Sequence, residues 1–149
     1  MRVLCVCLGN ICRSPMAEGV IRARAGAAGL AVEVDSAGTG AWHIGQPPDA
    51  DGLRVALSRG YDNAAQRARQ VRLADFDRFD LVLAMDTRNL ADLRRLAPPG
   101  SAAELRLFHP AGQDIPDPYG FSDAVFHHAL DLIEHATDAL LAELTSTRD

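Results

Sequence analysis

Two rhythms of apolar residues alternate along the chain: short continuous runs, and longer stretches with helical spacing. Arg2–Cys7 is a compact run of Val, Leu and Cys that predicts a first strand. Residues 15–28 predict a helix with Ala17, Val20, Ile21 and Ala25 on its apolar side; Ser14 can cap it, Pro15 suits its first turn, and Gly29 follows its end. A second strand is expected at residues 31–35, followed by a glycine-rich loop over 36–45. Pro47 or Pro48 opens a helix to about Arg59, with Leu53, Ala56 and Leu57 turned inward and Gly60 as its stop. A short helical piece is expected at 73–78. A continuous apolar run at 80–84 predicts a third strand of the kind buried on both faces. Thr87 can cap a helix to Leu96, which Pro98, Pro99 and Gly100 end. Residues 104–108 predict a fourth strand. A last helix over 122–144 carries Val125, Ala129, Leu132, Ile133, Ala136, Leu140 and Leu144 on one stripe.

Strands that alternate with helices predict an α/β fold: a four-stranded parallel twisted sheet with helices on both faces, flavodoxin-like or Rossmann-like. In such sheets ligands sit beyond the carboxyl ends of the strands. The loop after Cys7, the loop over 38–45, the pair Met85-Asp86 and the loop holding Asp117 all emerge there. The 149 residues suit a single domain over 1–149, and an apolar content of 48% marks neither a disordered chain nor a membrane protein. No apolar run approaches the ~20 residues that span a bilayer, and no leader precedes the first strand, so a cytoplasmic setting is expected. A net charge of −5 argues against nucleic acid or an anionic membrane as partner. All 15 basic residues are arginine, which leaves no lysine chemistry. The three cysteines, Cys5, Cys7 and Cys12, fall within eight residues; they fit reactive thiols in a reducing compartment better than a disulfide framework.

The chemistry concentrates in Cys7-Leu8-Gly9-Asn10-Ile11-Cys12-Arg13-Ser14-Pro15. A cysteine at a strand end, five residues and an arginine entering a helix make an anion cradle. The backbone N–H groups from Leu8 to Arg13 can converge on one phosphate, and the Arg13 fork suits phosphate bidentately. The same dipoles favour a thiolate at Cys7, a nucleophile facing the bound phosphorus. Ester cleavage also needs a proton for the leaving oxygen. Asp117 is the candidate acid, in Asp114-Ile115-Pro116-Asp117-Pro118-Tyr119-Gly120, where flanking prolines restrict the backbone. Trp42 and Tyr119, from different loops at the same mouth, could sandwich a phenyl ring; ordinary packing of Trp42 is the rival reading. Cys5 shares a strand face with Cys7 and reads as core. Among the histidines, His128 borders the apolar stripe of the last helix and is expected to be partly buried. Arg94 and Arg95 read as a solvated helix face. No metal or other cofactor is implied.

The string Cys-x-Gly-Asn-Ile-Cys-Arg-Ser-Pro, with Asp117-Pro118-Tyr119 downstream and Asp-Leu-Val-Leu-Ala-Met-Asp over 80–86, resembles the low-molecular-weight protein tyrosine phosphatases over nearly the whole chain. The resemblance implies a phosphocysteine intermediate on Cys7, Arg13 on the equatorial phosphate oxygens, Asp117 as general acid, Ser14 donating to the thiolate and Asn10 bracing the loop. It implies a phosphotyrosine-bearing protein as substrate and inorganic phosphate as product. Cys12 is then either a redox partner that protects Cys7 or a small buried hydrophobe; Asp86 is given a structural role. Ile11 stands where phosphoarginine phosphatases of this type carry Thr, which favours phosphotyrosine. Thiol-coupled arsenate reductases share the loop but need further cysteines downstream, and none follows Cys12. A non-catalytic phosphate-binding module is the alternative from another class. The sequence departs from the family after Asp117-Pro118, where Tyr119-Gly120-Phe121 replaces two adjacent tyrosines, so one pocket wall is either missing or supplied by Phe121. The phosphoprotein target and the oligomeric state are not written in these motifs.

Overall fold

The computed structural model describes residues 1–148. Its elements run β1 (Arg2–Cys7), α1 (Arg13–Ala27), β2 (Glu33–Gly38), α2 (Ala50–Ser58), α3 (Asp75–Arg78), β3 (Leu81–Ala84), α4 (Thr87–Leu96), β4 (Glu104–Leu107) and α5 (Asp123–Arg148). The four strands form one sheet in the order β2-β1-β3-β4, each neighbouring pair parallel. Parallel neighbours need crossovers, which α1, the α2–α3 segment and α4 supply.

Side chains alternate across the strands, so each face has its own core. On one side Val3, Cys5, Cys7, Leu81 and Leu83 pack with α1, α2 and α5. On the other Leu4, Val6, Ala37, Val82 and Ala84 pack with Phe76, Phe79, Leu90 and Leu93. Phe76 and Phe79 are almost wholly buried; truncating such a side chain to Ala costs about 3–5 kcal/mol. β1 is central and buried on both faces, and this fixes where the loop after Cys7 begins.

The α/β architecture with its parallel sheet is as predicted, but several element ends are not. β2 lies at Glu33–Gly38 rather than 31–35, because it pairs with β1 along its length, from Arg2 opposite Glu33 to Cys7 opposite Gly38. Ser36-Ala37-Gly38 has turn composition, yet tertiary pairing makes it strand. Gly38 is required there: a Cβ would stand 2.8 Å from the Leu8 carbonyl oxygen and 3.1 Å from the Asn10 nitrogen. α1 begins at Arg13, with Cys12 at the cap position and no side-chain cap; Ser14 sits inside its first turn with its hydroxyl turned to Cys7. α2 begins at Ala50, past both prolines, capped by Asp49 accepting from the Asp51 and Gly52 amides. It buries Val55 and Ala56, while Leu57 is exposed. α4 is capped by Asp86, not Thr87. α3 is shorter than expected, β3 begins at Leu81, β4 ends at Leu107, and α5 starts at Asp123 and continues past Leu144. His128 is exposed on α5; His127 is the half-buried histidine, its Nδ1 2.9 Å from Arg59 Nη2.

Candidate active site

β1 delivers Cys7 to the carboxyl edge of the sheet, and the chain then winds through residues 8–12 into α1. Asn10 adopts φ = 57°, a left-handed conformation that asparagine tolerates. That turn lets the Asn10 N–H donate to Cys7 Sγ at 3.3 Å. The Asn10 side chain binds outward in three directions. Its Nδ2 donates to Ser14 Oγ at 2.9 Å and Ser36 Oγ at 3.0 Å, and its Oδ1 accepts from the Arg69 N–H at 2.9 Å. Ser14 Oγ lies 3.0 Å from Cys7 Sγ. Ser14 Oγ accepts from Asn10, and its own proton has two acceptors in reach, Cys7 Sγ and, at 3.5 Å, the Ala37 carbonyl. Ser36 in turn donates to Glu18 Oε1 at 2.7 Å, and Glu18 pairs with Arg22. A buried hydrogen-bonded network therefore joins Glu18 to Cys7: Asn10 donates both to Ser36, which donates on to Glu18, and to Ser14, which lies against the sulfur.

Arg13 is 97% shielded from solvent, its side chain only 3% exposed. Its Nη1 donates to Asp86 Oδ2 at 2.6 Å and to the Ile115 carbonyl at 3.0 Å, while Nη2 lies 3.8 Å from Asp117 Oδ2. Burial lowers the Arg13 pKa, but Cys7 and Asp86 outweigh it and the net shift is upward. The guanidinium charge is fixed. Arg13 Nε is buried with no hydrogen-bond partner. A donor left in that state costs about 1–3 kcal/mol, and an anion in the cradle would remove the cost. Asp117 is 46% exposed, and its Oδ1 accepts from the Tyr119 N–H at 3.1 Å.

These groups face one cavity of about 200 Å³. Cys7, Arg13 and Asp117 border it, as do Leu8, Gly9, Ile11 and Cys12 from the loop and Trp42 and Tyr119 from the rim. Asn10 and Ser14 stand behind the loop rather than on the cavity wall. Phe121 is 63% exposed and does not border the cavity, so it supplies no replacement wall. His43 does border it, its ring 6.5 Å from that of Tyr119. A larger cavity of about 540 Å³ lies between α4, β4 and α5, bordered by Arg94, His109 and Glu143. It touches none of Cys7, Arg13 or Asp117, so size does not identify the site. Cys12 is a buried free thiol; burial, then the charges of Asp49 and Cys7, push its pKa up.

Sequence reasoning did not single out Ser36, Glu18, the Ile115 carbonyl or His43. It gave Asp86 a structural role without naming its partners: the carboxylate caps α4 with one oxygen and holds Arg13 with the other. Its position just past a predicted strand, beside the other loops of that sheet edge, was the available signal.

Comparison with known proteins agrees with this geometry. The sequence model of the family "Low molecular weight phosphotyrosine protein phosphatase" matches residues 2–149. A low molecular weight protein-tyrosine-phosphatase of Streptomyces coelicolor is 48% identical, over 95% of this chain and 92% of that protein. A low molecular weight phosphotyrosine protein phosphatase of Schizosaccharomyces pombe is 40% identical, over 94% and 95%. The crystal structure of a protein tyrosine phosphatase from Entamoeba histolytica, solved with Hepes in its active site, superposes with a TM-score of 0.93 at 34% identity, covering 100% of this chain and 99% of that one. With a buried thiol, a fixed guanidinium and a carboxylate around one cavity, and with relatives that match end to end, the chain belongs to the low molecular weight phosphotyrosine protein phosphatase family and is a phosphatase.

Proposed function

We propose that the protein hydrolyses phosphotyrosine in protein substrates, and aryl phosphates generally, through a phosphocysteine on Cys7. The observation that carries this reading is the meeting of Cys7, Arg13 and Asp117 at one cavity, with an arginine Nε–H still unpartnered. In the first step the Cys7 thiolate attacks phosphorus and forms the P–S bond. The P–O bond to the phenol breaks, and Asp117 gives its proton to the leaving oxygen. In the second step water attacks phosphorus, Asp117 takes the proton, the P–S bond breaks and phosphate leaves. Arg13 and the amides of residues 8–13 bind the three equatorial oxygens, over which transition-state charge is spread. Ser14 stabilises the thiolate both as nucleophile and as leaving group.

Ile11 and the aromatic rim of Trp42 and Tyr119 suit a flat phenyl ring, which favours phosphotyrosine over phosphoarginine. The cytoplasm fits three free cysteines, and no helix among the described residues is long and apolar enough to cross a membrane. The test is hydrolysis of p-nitrophenyl phosphate at mildly acidic pH, beside Cys7→Ser. Wild-type turnover that vanadate blocks, with a loss of ~10⁴-fold or more in Cys7→Ser, is the expected result. Equal activity in the two proteins would sink the phosphocysteine reading.

A further inference from the structure

A second groove adjoins the catalytic cavity. It measures about 280 Å³ and shares Leu8 and Trp42 with that cavity, so the Trp42 side chain borders both spaces. Its far side is the exposed face of α4, where Arg88, Asp92 and Arg95 follow one another at helical spacing. Arg95 is paired with Asp92. Arg88 has no ion pair or side-chain hydrogen bond among the described residues, in a chain whose net charge is −5. The groove therefore carries a local positive excess against the sign of the molecule. Thr39 lines it as well, and its Oγ1 is a shielded hydroxyl with no hydrogen-bond partner. Trp42, 69% exposed, and Leu96, 42% exposed, add apolar surface between these polar groups. Uncompensated cation, orphaned hydroxyl and apolar wall are all features of a surface made for an acidic peptide.

From this we infer that the groove docks the acidic segment of the substrate next to its phosphotyrosine. This rests on the proposed function and narrows it: the favoured substrates are phosphotyrosine sequences with Glu or Asp close by. A ring held between Trp42 and Tyr119 leaves its own backbone at the rim. An extended chain rises about 3.3 Å per residue, so a side chain about two or three residues away reaches past Trp42 toward α4. There a carboxylate meets the Arg88 guanidinium, with Arg95 beside it, and the Thr39 hydroxyl can donate to a peptide carbonyl. The contact lies at the rim, so it steers and selects substrates rather than driving chemistry.

The experiment compares kcat/KM for two phosphotyrosine peptides, one with Glu and one with Lys flanking the tyrosine, alongside p-nitrophenyl phosphate. Wild type is expected to favour the Glu peptide by about threefold to tenfold, with the preference shrinking between about 0.05 and 0.5 M salt. Arg88→Glu should abolish or invert that preference and leave the aryl phosphate rate unchanged; Arg88 is exposed and unpaired, so the variant should fold. Equal rates on the two peptides, or a preference that survives Arg88→Glu, would overturn the inference while leaving the phosphatase reading intact. Absence of turnover on all three substrates would instead overturn the phosphatase reading. Docking is then decided by binding, because Trp42 is the sole tryptophan and reports on the groove directly. A non-hydrolysable phosphonate version of the Glu peptide should shift its emission at lower concentration than the Lys version. Equal affinities would count against docking.

Discussion

The two halves of the site are built on opposite plans. The Cys7–Ser14 half is buried, threaded by side-chain hydrogen bonds from Asn10, Ser14, Ser36 and Glu18, and anchored to a central strand. The Asp117 half is an exposed loop joined to the body at few points: the Ile115 N–H on the Met85 carbonyl, the Ile115 carbonyl on Arg13, Asp117 beside Arg13 at 3.8 Å, and Asp114 on Thr87. The difference matches what the proposed mechanism asks of each half. Stabilising charge on phosphorus requires donors fixed before the reaction, and only a packed network keeps them so. On the proposed mechanism the other half delivers a proton to a departing oxygen, which requires access to solvent and to the cavity, and Asp117 is 46% exposed at the cavity's edge.

This contrast predicts which properties each substitution will move. Asp117→Asn should reduce kcat by about 10²–10⁴-fold for poor leaving groups, and much less for p-nitrophenol, while stability stays within about 0.5 kcal/mol of wild type. Equal losses across leaving groups would remove Asp117 from the acid role, and a large drop in Tm would break the contrast itself. Gly38→Ala makes the opposite kind of change. Its new Cβ would press on the Leu8 carbonyl and the Asn10 amide from beneath, so stability and activity should fall together. The expected cost is about 1–3 kcal/mol, read as about 2–4 °C in Tm for each kcal/mol. Activity lost with Tm unchanged would show that the loop yields without the fold.

A smaller effect comes from the thiols around the cradle. Burial raises the pKa of Cys5 and of Cys12 in the folded protein. Between the ordinary thiol value of ~8.5 and these raised values, the folded chain holds protons that the unfolded chain has released. Stability is therefore complete below about pH 8.5 and falls as pH climbs above it, by at most about 1.4 kcal/mol per pH unit for each thiol. Thermal unfolding from pH 7 to 10 checks the sign; a Tm flat across that range would mean the thiols ionise in place. By the same shift Cys12 should resist iodoacetamide in the folded protein at pH 8. If Cys12 acts in redox protection, it does so as a thiol that attacks a sulfenic acid formed on Cys7 by peroxide, expelling water.

The reactive string and the Asp117 triplet were legible in the sequence because their spacing is local: a strand end, a tight loop and a helix start need only neighbouring residues. The partners of that string were not. Ser36, Glu18 and the Ile115 carbonyl reach it through the order β2-β1-β3-β4, and no spacing along the chain encodes that order. The end of β2 was hidden for a related reason. Ser36-Ala37-Gly38 looks like a turn until β1 is laid beside it, and Gly38 serves as the floor of a loop lying thirty residues upstream. Leu57 shows a different limit, since helical periodicity places it inward although α2 lies at the margin of the core, where one turn more or less is exposed.

Among the described residues the glycine-rich loop after β2 is hydrogen-bonded to the cradle through main-chain groups, the Thr39 N–H to the Cys7 carbonyl at 3.0 Å and the Gly40 N–H to the Leu8 carbonyl at 2.9 Å. Bonds of that kind are indifferent to side-chain identity. These hydrogen bonds therefore do not dictate the side chains of residues 41–44, of which Trp42 and His43 border the cavity. On the proposed function the cutting edge can stay constant while the grip is exchanged.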